Sequence, residues 1–179
     1  MNAAEIHQRL QQKFPEKLKR ADLEVRDPFI VVEPSAIAEV GAYLRDQPEL
    51  AFDTLHCISG VDYPAENKME LVYHLASLKL RHWIVLKLET PREGARVPTV
   101  ERVWPTANWH EREAYDLFGF YFEGHSDLRR ILLPDDWEGH PLKRDWVWPE
   151  AWHGLAVKPG KQMTDRAVEG ERLGVGPFD

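Results

Sequence analysis

Residues 69–89 have the sequence MELVYHLASLKLRHWIVLKLE, which contains two runs of alternating side chains. Apolar and other side chains alternate over residues 69–75 and again over residues 80–89, the period of a strand that turns one face toward a core. Only residues 76–79 separate the two runs. The pattern therefore predicts an antiparallel hairpin.

Upstream of this hairpin the sequence predicts two helices and two strands. A helix is expected over residues 3–19, because apolar residues recur there at helical spacing. The apolar, β-branched run at residues 29–32 predicts a strand, and residues 52–61 predict another. Between these strands a second helix is expected, with Pro34 in its first turn.

Downstream of the hairpin the sequence predicts a short helix capped by Thr99, and a longer helix over residues 107–118. Gly119 follows the longer helix, where a left-handed cap belongs. The predicted order is helix, strand, helix, then three strands and a helix. This order is typical of a two-layer α+β fold, with a mixed or antiparallel sheet and helices on one face.

The character of the chain changes after this domain. Residues 134–179 are rich in proline and glycine and sustain no helical or strand period, so we predict an α+β domain over residues 1–122 and a long extended tail over residues 123–179. Four tryptophans nevertheless lie within 16 residues, at positions 137, 146, 148 and 152. A small sheet covered by its own helices is not expected to offer cavities for these rings. The tail is therefore predicted to bind a partner protein.

Composition excludes several classes of function. The net charge is −7, which disfavours binding to a nucleic-acid backbone. The single cysteine, Cys57, excludes a disulfide framework and an all-cysteine iron–sulfur cluster, and we interpret it as a small buried side chain. No apolar run is long enough to span a membrane, and no signal peptide is evident. We expect a soluble, cytoplasmic protein that meets a membrane only through other proteins.

Charges are concentrated between Asn108 and Asp145, where nine acidic and five basic residues are interspersed with aromatic ones. An exposed charge pair contributes little to stability, but an alternating strip of charges selects one register and one partner. We therefore favour a docking surface over a solvated tail.

A catalytic interpretation of this region is weaker. Glu113 and Asp116 could form a carboxylate pair for acid–base chemistry, but no nucleophile accompanies them. His110 and Glu111 resemble the start of a zinc-binding helix, yet Ala114 stands where the second histidine would be needed. The remaining histidines of the region are expected to be structural. No glycine-rich phosphate loop is present.

These stretches resemble a known family. Glu111-Arg-Glu-x-x-Asp-Leu-Phe-Gly119, Gly124-His-x-Asp-Leu-Arg-Arg-Ile-Leu-x-Pro-Asp-Asp-Trp137 and Gly139-His-Pro-Leu-x-x-Asp145 closely resemble the NuoC family, a subunit family of respiratory complex I, the NADH–quinone oxidoreductase. Residues 50–107 are similar to the family in layout. Two departures are Ser126, where the family usually has proline, and the order of Lys143 and Arg144, which is reversed.

The resemblance implies a non-catalytic structural or assembly subunit of the peripheral arm of a complex that couples NADH oxidation and quinone reduction to proton translocation. Its partners would be the quinone-site subunit and neighbouring iron–sulfur subunits, on the cytoplasmic side of the bacterial inner membrane. No cofactor is expected in this chain, since FMN, the iron–sulfur clusters, NADH and quinone would bind to other subunits. The predicted partner-interface residues are Glu111, Arg112, Glu113, Asp116, Asp127, Arg129, Arg130, Trp137, His140, Lys143, Arg144, Asp145, Trp146, Trp148 and Trp152.

Two alternatives remain open at this point. The same surface could serve the equivalent subunit of a membrane-bound hydrogenase or of a photosynthetic NDH-type complex. A more distant alternative is a free-standing hydrolase that uses Glu113 and Asp116.

Overall fold

A computed structural model describes residues 1–156. The helices of this part of the chain are α1 (Ala3–Lys13), α2 (Ile37–Asp46) and α3 (Ala107–Phe118). The strands are β1 (Leu18–Asp22), β2 (Phe29–Val32), β3 (Thr54–Tyr63), β4 (Lys68–Ser77), β5 (His82–Pro91), β6 (Arg96–Pro98), β7 (Tyr121–Glu123), β8 (Ala151–Trp152) and β9 (Leu155–Ala156). The two helices and two strands predicted upstream of the hairpin all exist, with ends shifted by a few residues.

The central sheet has five strands in the order β1-β2-β5-β4-β3. β2 pairs with β5 in parallel, and all other pairs are antiparallel, so the sheet is mixed as predicted. The predicted hairpin is β4 and β5, in which Leu71 lies opposite Leu88. Strand β1 was not predicted, because its sequence LKRAD is short and charged, as suits an edge strand.

Both N-terminal helices cover the same face of the sheet. Ile6 and Leu10 of α1, together with the buried face of α2, pack in one hydrophobic core with the inward side chains of β4 and β5. The two-layer α+β prediction is confirmed. Helix α1 ends at Lys13 rather than at residue 19, because β1 begins at Leu18 and Pro15 cannot continue the helix.

Helix α3 has the predicted bounds, and Gly119 forms its left-handed cap with φ 82°. The short helix predicted to begin after Thr99 is only a turn. The Thr99 hydroxyl does accept the Glu101 N–H at 3.1 Å, as a cap would, but the chain turns away before a helix forms.

Cys57 lies on the outer face of the sheet and is half-buried, so the expectation of a buried cysteine needs correction. Its Sγ atom is 3.3 Å from Nδ1 of His74 on the adjacent strand.

The domain boundary predicted after residue 122 stays a prediction. Residues 1–146 form one compact unit, and the described residues 147–156 belong to a second. Residues 124–146 lack regular structure, as predicted, but charged side chains of the preceding residues bind this stretch as far as Asp145. In the second unit, β8 and β9 form a small antiparallel hairpin. The rest of the predicted tail, residues 157–179, lies outside the described residues.

No helix within residues 1–156 is long and apolar enough to cross a membrane.

Candidate functional site

Asp116 on α3 anchors the segment that follows β7. We call residues 124–146 the strap. Asp116 is fully buried, and its Oδ2 atom accepts three successive backbone N–H groups of the strap, from Ile131 at 3.1 Å, Leu132 at 2.8 Å and Leu133 at 2.9 Å. Burial opposes ionisation, but these donors and Arg130 outweigh it and hold the pKa of Asp116 below its usual range. A buried carboxylate thus organises an irregular stretch of backbone.

Arg130 joins this anchor to the next turn of the strap. Its Nη1 atom donates to Oδ1 of Asp116 at 2.6 Å, and its Nη2 atom donates to the carbonyls of Trp137 at 2.8 Å and Gly139 at 3.2 Å. His140 donates from Nδ1 to the Asp116 carbonyl at 2.9 Å. Burial lowers the pKa of His140, so its ring is neutral and carries its proton on Nδ1.

Arg112 holds the strap from the preceding turn of α3. Its guanidinium donates to the carbonyls of Arg129 and Arg130, each at 3.3 Å. The same guanidinium lies over the ring of Trp109, 5.3 Å from the centroid. Arg112 therefore connects the exposed indole of Trp109 to the backbone of the strap.

Glu111 has no exposed surface and faces the loop before α3. Its carboxylate accepts the Thr99 hydroxyl at 2.5 Å and the Val100 N–H at 2.7 Å. Burial raises the pKa of Glu111 to about 7, and the charge of nearby Glu101 adds to the rise, whereas the two hydrogen bonds oppose it.

His125 lies between two carboxylates at the start of the strap. Its Nδ1 atom accepts the Asp127 N–H at 3.0 Å, so in the neutral ring Nε2 carries the proton and donates to the Asn108 carbonyl at 3.2 Å. The same Nε2 atom is 3.7 Å from Glu101 and 3.9 Å from Glu111.

The far end of the strap is fixed to the sheet by a second network of charges. Arg92 contacts the buried carboxylate of Asp62 through Nε at 2.6 Å and Nη2 at 2.8 Å. It also contacts Asp145, through Nη1 at 2.8 Å and through Nη2. The Arg144 N–H donates to Asp62 at 2.8 Å. The Arg92 guanidinium lowers the pKa of Asp62. Burial opposes this shift, and the hydrogen bond from the Arg144 N–H adds to it.

Two tryptophans of the strap pack against each other. The ring centroids of Trp137 and Trp146 are 6.0 Å apart, and Trp146 donates from Nε1 to the Glu138 carbonyl at 3.2 Å. Gly139 lets this contact form, since a Cβ atom there would lie 2.7 Å from the Trp146 ring. These rings were predicted to need a partner's cavities, but part of their packing comes from this chain.

Comparison with known proteins assigns the family. Residues 30–151 match the family described as the 30-kDa subunit of the respiratory-chain NADH dehydrogenase. Over 150 residues the chain is 44% identical to the C subunit of the NADH-quinone oxidoreductase of Chlorobium phaeobacteroides, covering 83% of this chain and 90% of that protein. The chain belongs to this 30-kDa subunit family. The resemblance inferred from the three stretches of sequence is confirmed.

Two solved structures are similar to this member of the 30-kDa subunit family. A chain of the membrane-bound sulfane sulfur reductase, an archaeal respiratory membrane complex, superposes with a TM-score of 0.66 at 26% identity, covering 98% of this chain and 94% of that one. A trypsin-resistant fragment of Nqo5 superposes with a TM-score of 0.60 at 29% identity, covering 72% of this chain and all of the fragment.

The structure separates the predicted interface residues of this 30-kDa subunit into three groups. Glu111, Arg112 and Asp116 are buried and bond within the chain, Arg112 and Asp116 to the strap and Glu111 to the loop before α3, and their predicted place in a partner interface stays a prediction. The exposed group comprises Glu113, Asp127, Arg129, Arg144, Asp145 and Trp148. The half-buried group comprises Arg130, Trp137, His140, Lys143, Trp146 and Trp152. Trp148 and Trp152 belong to the second unit.

Some residues of the site were missed. Asp62 and Arg92 are distant in sequence from the strap residues that they bind, and no local pattern points to them. Leu132 and Leu142 were missed because isolated leucines in an irregular stretch carry no periodic signal. Trp109 had a signal, an aromatic residue on a charged helix, but it was not included among the predicted interface residues.

The geometry of the described residues does not support a metal centre or the catalytic carboxylate pair of Glu113 and Asp116. Within residues 1–156, no three His, Cys, Asp or Glu side chains are placed to hold a metal ion. His125 and His140 bond to backbone carbonyls, as expected of structural histidines. Both oxygens of Asp116 are occupied by donors, so it is not available as the partner of Glu113 in a hydrolase.

Proposed function

We propose that this chain is a non-catalytic assembly subunit of an NADH–quinone oxidoreductase, in its peripheral arm on the cytoplasmic side of the bacterial inner membrane. In this proposal the strap and α3 pack against the quinone-site subunit, next to the iron–sulfur subunits. FMN, the iron–sulfur clusters, NADH and quinone bind to those other subunits. Family membership supports the choice of complex, since the relatives of this chain include a subunit of an NADH-quinone oxidoreductase.

The proposal rests on the surface that α3 and the strap form together. Buried charged side chains of α3 hold the strap in place, while large apolar side chains of the same surface face solvent. Trp109 is 62% exposed, Leu132 63% and Leu142 51%. Exposed apolar side chains on an ordered, charge-rimmed surface are typical of a protein interface. An enzyme site would instead leave convergent polar groups open to a substrate, whereas here those groups bond to the strap.

A second candidate is the equivalent subunit of a different membrane-bound redox complex, such as a hydrogenase or a photosynthetic NDH-type complex. The similarity to a chain of the sulfane sulfur reductase supports this second candidate. That chain belongs to a respiratory membrane complex that is not named as an NADH–quinone oxidoreductase. The proteins that copurify with the native chain distinguish the two candidates, since only the first predicts subunits that bind NADH and FMN.

The decisive experiment replaces exposed leucines by aspartate. Leu132→Asp combined with Leu142→Asp is expected to reduce incorporation into the complex at least tenfold, because the interface would bury two unpaired charges. Quinone reductase activity per assembled complex should stay unchanged. The matched control is Leu78→Asp in the β4–β5 turn, since Leu78 is 68% exposed but distant from the strap. Normal assembly of the double variant would contradict the proposal, and a lower activity per assembled complex would show a catalytic role.

A further inference from the structure

A groove of about 210 Å³ lies between β3, α3 and the strap. We call it the α3 groove. It is lined by Ile58, Ser59, Gly60, Glu113, Ala114, Phe118 and Leu142. Most of these side chains are apolar, and β3 is an edge strand, so the groove opens on a side of the sheet where no further strand is paired.

The walls of the α3 groove are held in place by close contacts. Gly60 lies against the ring of Phe118, and a Cβ atom at Gly60 would come within 2.6 Å of that ring. On the other side, the backbone N–H of Leu142 donates to the Leu117 carbonyl at 3.0 Å. The groove therefore exists before any partner arrives, and a ligand that enters it does not have to order the chain first.

The rim of the groove carries an uncompensated negative charge. Glu113 is exposed, and within residues 1–156 its side chain forms no hydrogen bond or ion pair. The acidic residues that flank it on α3, Glu111 and Asp116, both bond inside the chain. Lys143 follows Leu142 in sequence but does not line the groove. An apolar cleft with one free carboxylate at its rim selects a ligand that is apolar and carries a positive charge beside it.

We propose that the α3 groove receives one large apolar side chain of another subunit, which carries a lysine or arginine within a few residues that pairs with Glu113. The inference rests on the proposed function, because it names the chemistry of the segment that docks on the same surface. Interface anchors are commonly large apolar side chains inserted in a pocket and flanked by polar contacts. The size of the cavity suits a single such side chain rather than a helix or a cofactor.

Binding measurements test whether the negative charge of Glu113 contributes to docking. The purified chain would be titrated onto the complex lacking it, for the natural chain and for Glu113→Gln and Glu113→Lys. We expect affinity to fall about tenfold for the first and further for the second, with a weaker dependence on salt for Glu113→Gln. Glu16→Lys is the matched control, since Glu16 is also exposed, has no bonded partner within residues 1–156, and changes the net charge equally. Unchanged affinity for both Glu113 variants would overturn the proposal.

Photo-crosslinking in the assembled complex identifies the occupant. A benzophenone amino acid in place of Leu142 should crosslink to a segment of another subunit with an apolar residue near a lysine or arginine. A crosslink to residues 157–179 of this chain, to a segment without a basic residue, or to nothing would overturn the proposal. The same probe in place of Leu132 reports on the proposed function alone. If it crosslinks to another subunit and the Leu142 probe does not, the proposed function stands and the groove assignment is wrong.

Discussion

Arg130 reaches back over fourteen residues of sequence to place its Nη1 atom 2.6 Å from the fully buried carboxylate of Asp116. The same carboxylate caps three backbone N–H groups just beyond Arg130. The strap is thus folded around one charge of its own domain. A partner would therefore meet a surface that this chain has already built.

Asp116→Asn should destabilise the fold strongly. The substitution leaves the half-buried Arg130 without its counter-charge and weakens the bonds to three N–H groups, so we expect a loss on the order of 3 kcal/mol in the free energy of unfolding. Asp127→Asn is the control, because Asp127 pairs with Arg129 at the surface, where such pairs contribute under about 1 kcal/mol. Denaturant unfolding measures both. Equal effects would show that the buried pair is not structural.

Stability should fall as pH rises from about 4.5 to about 7 because of Glu111. The folded state raises the pKa of Glu111 from 4.5 to about 7, so it binds the proton more tightly than the unfolded chain does. The stabilisation by the protonated form is fully present below pH 4.5 and is lost as pH rises to about 7, a change of about 3 kcal/mol at most.

Glu111→Gln should remove this slope, since an amide does not titrate. The test compares unfolding free energies of the natural chain and the variant between pH 5 and 8. Glu113→Gln on the exposed side of the same helix should retain the slope. A natural chain whose stability is flat over this range would show that Glu111 is already ionised.

Gly119→Ala should destabilise the fold by more than the strain of placing alanine in a left-handed backbone conformation. Gly119 has φ 82°, and a Cβ atom there would lie 2.7 Å from the His140 ring, which must then leave the Asp116 carbonyl. The control is Gly94→Ala, which has φ 64° but nothing within 4 Å of an added Cβ. We expect Gly119→Ala to lower the melting temperature by several degrees more than the control. Equal shifts would mean that His140 moves without cost.

Arg92→Gln should release the end of the strap without unfolding the sheet. Arg92 joins Asp62 to Asp145, and its removal leaves only the Arg144 N–H on Asp62. Hydrogen exchange should speed up at residues 142–146 and stay unchanged at residues 131–133, which Asp116 holds. Because the pKa of Asp62 is lowered in the folded state, its contribution is present above its ordinary pKa, and acid should release the same end as pH falls below about 4. Uniform acceleration of hydrogen exchange along the strap would contradict the prediction that Asp116 and Arg92 anchor it separately.

Sequence patterns predicted the sheet and α3 well, because alternation and helical spacing are local signals. They predicted helix α3 with its correct ends, since Gly119 marks the cap. They failed at β1 and β6, which are short, and in the strap, where order comes from single buried charges such as Asp116 and Arg92. A charged residue in sequence looks the same whether it faces solvent or a backbone N–H. The contact between Trp137 and Trp146 was not predicted for a related reason, since it depends on the path of the strap.

Hydrogen exchange of the isolated, full-length chain tests whether Asp116 orders the strap without a partner. The amide protons of Ile131, Leu132 and Leu133 are bonded to Asp116 in this chain alone, so they should exchange at least a hundredfold more slowly than in an unfolded peptide, and Asp116→Asn should abolish that protection. Exchange at the rate of an unfolded peptide, with protection appearing only in the assembled complex, would show that the partner builds the strap.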